Sequence, residues 1–135
     1  MKQYHIISRI AIYLLAVVLI SFGIFHFMNA HDLVVYIPSG VPGGIMLVYL
    51  VGAAFILVGI SFITNKMVKA AAYLLALLLF TSIAIIHLPN YLHAGNEEMR
   101  SMALINLLKD LAIAGFALHI AAGAHHQQLH MENSD

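Results

Sequence analysis

The chain has 135 residues, 62% of them hydrophobic and 9% charged, with a mean hydropathy of +0.94. Soluble domains carry about 25% charged residues, so this balance excludes a soluble globular domain and belongs to an integral membrane protein of one domain. Basic and acidic side chains cancel with histidine neutral, which gives no argument for nucleic acid or another polyanionic partner; the absence of cysteine excludes thiol nucleophiles and Cys-ligated metal or iron–sulfur centres by this chain alone.

Apolar stretches at 6–27, 43–63, 68–88 and 102–123 each reach the about 20 residues that cross a hydrocarbon core of about 30 Å. They predict an all-α protein: a four-helix antiparallel transmembrane bundle within residues 1–124, followed by a polar cytoplasmic tail at 125–135. The first stretch also invites reading as a cleaved signal peptide, since Lys2 and Arg9 precede its apolar run. It is too long for that, and Met28 is a poor small residue before a cleavage site. Next comes Ile37-Pro38-Ser39-Gly40-Val41-Pro42-Gly43-Gly44, which cannot continue a helix, so the second helix is expected to start at 43–45. Residues 30–37, apolar behind His31 and Asp32, are expected along the membrane interface. The turn Thr64-Asn65-Lys66-Met67 predicts a tight antiparallel hairpin. Pro89 reads as a helix breaker that opens a third connection over 89–101, and the fourth helix is expected from 102.

Orientation is read from the basic residues. Lys2, Arg9, Lys66 and Lys69 gather at one side, whereas Arg100 is offset by Glu97 and Glu98, so both termini are expected in the cytoplasm and the protein in the cell inner membrane. The segment 125–135 has no lysine or arginine and does not bear on this. Small residues (Gly52, Gly59, Ala70–Ala72, Ala76, Ala112, Ala114, Gly115, Ala117) predict close helix packing, the main source of association in lipid.

Lys109 and Asp110 interrupt the fourth apolar stretch. A charge near mid-bilayer costs roughly 2.5–3.5 kcal/mol on insertion scales, so it persists with a partner, a wet cavity or a function. Lysine can snorkel outward along its stem, but aspartate is too short and needs a partner from another helix: His26, His87 or Tyr49. His26 and Asn29 close the first helix, His87 and Asn90 close the third, and Asn106 shares a face with both charges. A polar pocket open to the outer face is therefore expected, with His26, His87, Asn106, Lys109 and Asp110 binding a ligand. The alternative is that Asp110 and Asn106 only join helices while Lys109 snorkels. His26, His87 and Asp110 could form a two-histidine, one-carboxylate metal site, and the two histidines a haem site, but no spacing motif supports either and Lys109 disfavours a cation. No metal is expected, and no catalytic residue is assigned. For His125, His126 and His130 a solvated tail is preferred over metal binding. Glu97, Glu98 and Arg100 read as a solvated loop, with a lid as the alternative.

Gly23-Ile24-Phe25-His26-Phe27, Tyr36-Ile37-Pro38 with Val41-Pro42, Tyr49-Leu50-Val51-Gly52, Ala70-Ala71, His87-Leu88-Pro89 and Asn106-Leu107-Leu108-Lys109-Asp110-Leu111 occur in that order. Together they cover nearly the whole chain, and the pattern resembles the DoxX-like membrane proteins. These are small four-helix bacterial proteins related to a subunit of thiosulfate:quinone oxidoreductase. Many members carry an acidic residue shortly after the glycine of the second helix; here Gly52-Ala53-Ala54-Phe55 stands in its place. The resemblance implies an accessory subunit of a quinone-linked redox system, with quinone as the candidate ligand and a partner protein carrying the electrons. The alternative is a non-catalytic membrane protein that binds a lipid or small lipophile, or assists assembly of a partner. Membrane lipid is the expected surroundings and a homo-oligomer is an alternative partner arrangement. A transporter is disfavoured by the small number of spans.

Overall fold

The computed structural model describes the backbone of residues 2–134 and the side chains of residues 6–124. Its helices are α1 (Lys2–Met28), α2 (Ala30–Leu33), α3 (Ile45–Thr64), α4 (Val68–Ser82), α5 (Leu88–Leu92) and α6 (Glu97–Ser134). A 3₁₀ turn (Val34–Tyr36) follows α2, and a π-turn (Ile83–His87) joins α4 to α5 without a break. The protein is an all-α, four-helix bundle, with no strand among the described residues.

Four spans, Ile6–Met28, Ile45–Thr64, Val68–Leu92 and Glu97–Ala124, are long and apolar enough to cross a membrane. Only 17% to 33% of each apolar window is buried within the protein, so the outward faces are greasy as well. Leu14, Leu57, Leu77 and Leu108 are among the large apolar side chains exposed there. Such a surface suits lipid, not water. By length and composition this is a multi-pass membrane protein.

Around the bundle α1 packs on α3, α3 on α4 and α4 on α6. The α1–α3 seam is antiparallel and made of small residues seven apart: Ala16 opposes Gly59, and Gly23 opposes Gly52. At Gly52 an added Cβ would lie 2.8 Å from the Cβ of His26, and at Gly59 it would lie 2.9 Å from the Ala16 carbonyl. Only glycine permits this approach. The core lies toward the Asn65–Met67 hairpin and is built from Leu19, Val58, Phe62, Leu75, Leu79 and the alanines Ala72, Ala114, Ala117 and Ala121. Of the small residues expected to pack, Ala70, Ala112 and Gly115 instead face outward; nothing lies within 4 Å of a Cβ built on Gly115. Gly23, by contrast, belongs to the seam.

Both ends of α3 follow their signals. Gly43 (φ 111°) and Gly44 (φ 54°) turn the chain into α3, and Asn65 (φ 58°) ends it in the left-handed region that asparagine tolerates. The Ser61 hydroxyl donates to the Lys66 carbonyl and so ties the hairpin. Three boundaries differ from the expected ones. Pro89 does not end the third span, which runs on through Leu92. Proline lacks an N–H and crowds the carbonyl four residues back, and the widened π-turn just before it accommodates both defects without stopping the helix. The fourth span starts at Glu97 and not at 102, because the Asn96 side chain accepts a hydrogen bond from the Met99 N–H at 2.8 Å. Glu97 and Glu98 then complement the helix dipole in the first turn. The helical backbone of α6 also continues beyond residue 124, where a separate tail was expected. The side chains of His125, His126 and His130 lie outside the described residues.

Candidate site: a polar-floored cavity between the helices

Where alanine and leucine fill the bundle near the hairpin, the helices close. Toward the other pole, formed by the 29–44 and 93–96 connections, aromatic and polar side chains hold them apart. A cavity of ≈ 760 Å³ results, walled by α1, α3, the π-turn with α5, and α6. Leu33, Val35, Tyr36 and Ile37 border it at that pole. His26, His87, Asn106, Lys109 and Asp110 all line it. The structure therefore brings the sequence-selected residues to one space, from three spans.

Their roles differ. On α6 the packed face recurs at Ala103, Asn106, Asp110, Ala114 and Ala117, three or four residues apart. Asp110 thus points inward, where its carboxylate accepts a hydrogen bond from His87 Nε2 at 2.9 Å. The side chains are 20% and 19% exposed, so the pair is largely sheltered. A carboxylate only accepts, so Nε2 carries the proton. Of the three partners considered for Asp110, the fold selects His87. Tyr49 stacks on Phe27 with ring centroids 5.5 Å apart and does not line the cavity. His26 turns its Nδ1 to the Phe22 carbonyl at 2.6 Å and sets its ring edge-on to Phe55. Its Nδ1 must therefore donate, which leaves Nε2 of the neutral ring as an acceptor.

Lys109 projects about 100° from Asp110 around the helix and is exposed, with no hydrogen bond or ion pair among the described residues. Asn106 makes none either. Neither is trapped, since no described side-chain nitrogen or oxygen is both buried and without a partner. The cavity thus offers donors at Lys109 and Asn106 and acceptors at His26 and Asp110, set in walls of Phe22, Val51, Phe55 and Ile113. No group of three or more His, Asp or Glu side chains among the described residues is placed to hold a metal ion. His119 lies elsewhere, stacked on Phe116.

Sequence reading missed Tyr36, Ser82 and His93, which also line the cavity, and noted Asn90 and Glu98, which line it too, without assigning them to the site. Asn90 was a legible candidate through its spacing from His87. Its amide donates to the Tyr36 carbonyl at 2.7 Å and fastens the 33–37 segment to α5. Asn90→Ala is expected to cost about 0.5–1.5 kcal/mol, the net worth of one hydrogen bond. Amide exchange at Ile37, which donates to the Val34 carbonyl, should rise more than at α3, as read by hydrogen-exchange mass spectrometry. Glu97 and Arg100 form an exposed ion pair at 2.7 Å on the first turn of α6, of the kind worth little to stability.

Compared with protein-family models, curated proteins and solved structures, the chain matches none of them.

Proposed function

We propose that this chain is an accessory membrane subunit of a quinone-linked redox system, of the DoxX-like kind, and that its interhelical cavity binds the quinone headgroup. One observation carries the reading: two unpaired donors and a sheltered imidazole–carboxylate pair meet inside a cavity of ≈ 760 Å³ that Phe22, Val51, Phe55 and Ile113 also wall, apolar surface with orienting polar groups as in a lipophile site. Bound there, a quinone would supply two-electron, two-proton chemistry. Lys109 and Asn106 donate hydrogen bonds to a carbonyl oxygen. The Asp110–His87 pair holds or receives a proton, and Phe22, Val51 and Phe55 contact the ring. The electrons are assigned to a partner protein, since the chain has no cysteine with which to bind an iron–sulfur cluster.

Entry from the bilayer suits the packing. α1 and α6 both line the cavity but do not pack along one another, and Phe25 and Met102 stand exposed on their flanks. Arg9 precedes the part of α1 that packs beside the hairpin carrying Lys66 and Lys69. The excess of basic residues at that pole supports cytoplasmic termini in the inner membrane, with the cavity toward the opposite side.

Native mass spectrometry of detergent-extracted protein, followed by calorimetric titration with a short-chain quinone, tests the reading. A retained quinone is expected, and Lys109→Met should weaken binding about tenfold or more, the loss of one charge-assisted hydrogen bond. Failure to retain or bind quinone overturns it, and a retained phospholipid would point instead to non-catalytic lipophile binding.

A further inference from the structure

The cavity's polar groups form two facing rows that run inward from one pole. On the α5 side they are His93, Asn90 and His87; on α6 they are Glu98, Asn106 and then Lys109 with Asp110. The α6 row repeats at four-residue steps through Met102, so it follows one helix face. From Glu98 to Asp110 it descends about 18 Å at 1.5 Å per residue. The rows converge on the hydrogen bond between His87 and Asp110. Beyond it the path is blocked by the alanine–leucine core, where Leu75, Leu79, Ala114 and Ala117 are buried.

We infer that the cavity is a proton half-channel: it admits water from the pole of the 29–44 and 93–96 connections and ends blindly at the His87–Asp110 pair. Two physical arguments support this. Lys109 and Asn106 have no protein partner yet are not buried, so at membrane depth they require polar company, and a space with polar groups on two sides holds water stably. On the far side, the packed core offers neither polar groups nor room.

The imidazole can pass a proton without redox change. A proton binds Nδ1, the Nε2–H bond breaks, and that proton moves to the Asp110 oxygen 2.9 Å away. A neutral histidine and a carboxylic acid remain. The ionisable groups sharing this space are His26 from α1, Tyr36 from the first connection, His87 and His93 from the α5 side, and Glu98, Lys109 and Asp110 from α6. α3 contributes none. Any proton exchanged at the cavity floor therefore comes from, or goes to, one side of the membrane.

The inference shares its cavity with the quinone reading but needs no quinone, so each can fail alone. The natural absence of cysteine makes a direct test available. Single variants Ala94→Cys, Ala103→Cys and Asn106→Cys, with Leu108→Cys on the outward face and Ala117→Cys in the core, are placed in sealed vesicles. They are treated with a membrane-impermeant cationic methanethiosulfonate, which reacts with thiolate and so requires water. Ala94→Cys and at least one of the two deeper cavity variants should react about tenfold or more faster than the Leu108 and Ala117 variants, as expected for wet over dry sites, from one side of the vesicle only. Comparable rates at cavity and control positions, or reaction from both sides, overturn the half-channel. Circular dichroism and elution profile identify any variant that fails to fold, and Ala103→Cys and Asn106→Cys substitute for each other. As a second readout, the infrared difference between neutral and acidified protein should lose one carboxylic-acid component in Asp110→Asn while those of the five other acidic side chains remain; identical difference spectra remove Asp110 from the relay.

Discussion

Gly23→Val is expected to be the most damaging single change in the transmembrane region. A Cβ on Gly23 would fall within the side chain of Ile56 and lie 2.6 Å from the Gly52 carbonyl oxygen. Ile56 can change rotamer, but a backbone carbonyl on a packed helix cannot move away. α1 and α3 must separate, and the contact they lose is the van der Waals approach that holds spans together in lipid. Overpacking of this kind costs about 1–3 kcal/mol and occasionally more. Because valine adds two methyls beyond the obstructed Cβ, the upper end applies, a large fraction of the about 5–15 kcal/mol by which folded proteins are stable. Gly59→Ala should follow in rank, since its Cβ meets Ile20 at 2.6 Å and the Ala16 carbonyl at 2.9 Å. Gly115→Ala is the control. It has open space and sits in a helix interior, so it should be neutral or stabilise by about 0.5–1 kcal/mol. Thermal unfolding in detergent, followed by helical circular dichroism, ranks the three; equal melting of Gly23→Val and wild type would mean that the seam is not as close as described.

Breaking the His87–Asp110 pair is expected to be the second large effect, and its signature is non-additivity. His87→Ala strands a carboxylate at membrane depth, and Asp110→Ala leaves an imidazole N–H without its acceptor. Each single change should cost about 1–3 kcal/mol, the penalty for an unsatisfied sheltered polar group. The side chains retain about one-fifth of their exposure, so cavity water offsets part of the loss and the larger penalties of fully buried ion pairs do not apply. The double variant removes both polar groups and should be nearly as stable as the milder single variant. Coupling of about 1–2 kcal/mol in a double-mutant cycle is expected for a directly bonded pair. Additive losses would show that the two side chains do not interact in the folded protein.

Much of the architecture was legible because it depends on local composition. Uninterrupted apolar stretches marked the four spans, and Asn65 with Lys66 between two of them marked the hairpin. The inward demand of Asp110 was also legible, since a short carboxylate cannot reach the membrane surface from that depth. The Asn96 cap and the acidic first turn of α6 were present in the sequence, but the apolar stretch begins only at 102, so hydropathy alone sets the helix start too late. Pro89 misled for a different reason. Its local chemistry does oppose a regular helix, and only the preceding π-turn lets the span continue.

The residues by themselves determined that the chain crosses a membrane several times and that its rare polar groups sit toward one end, because hydropathy and charge along a chain require no knowledge of neighbours. The tertiary structure decided that His87 and not His26 meets Asp110, that Tyr49 lies outside the cavity, and that Asn90 ties the 33–37 segment to α5 beside it. Those outcomes depend on how each helix is rotated and how near it approaches the next. Steric fit at Gly23, Gly52 and Gly59 and in the alanine-rich core sets both, and a fit of that kind exists only between surfaces.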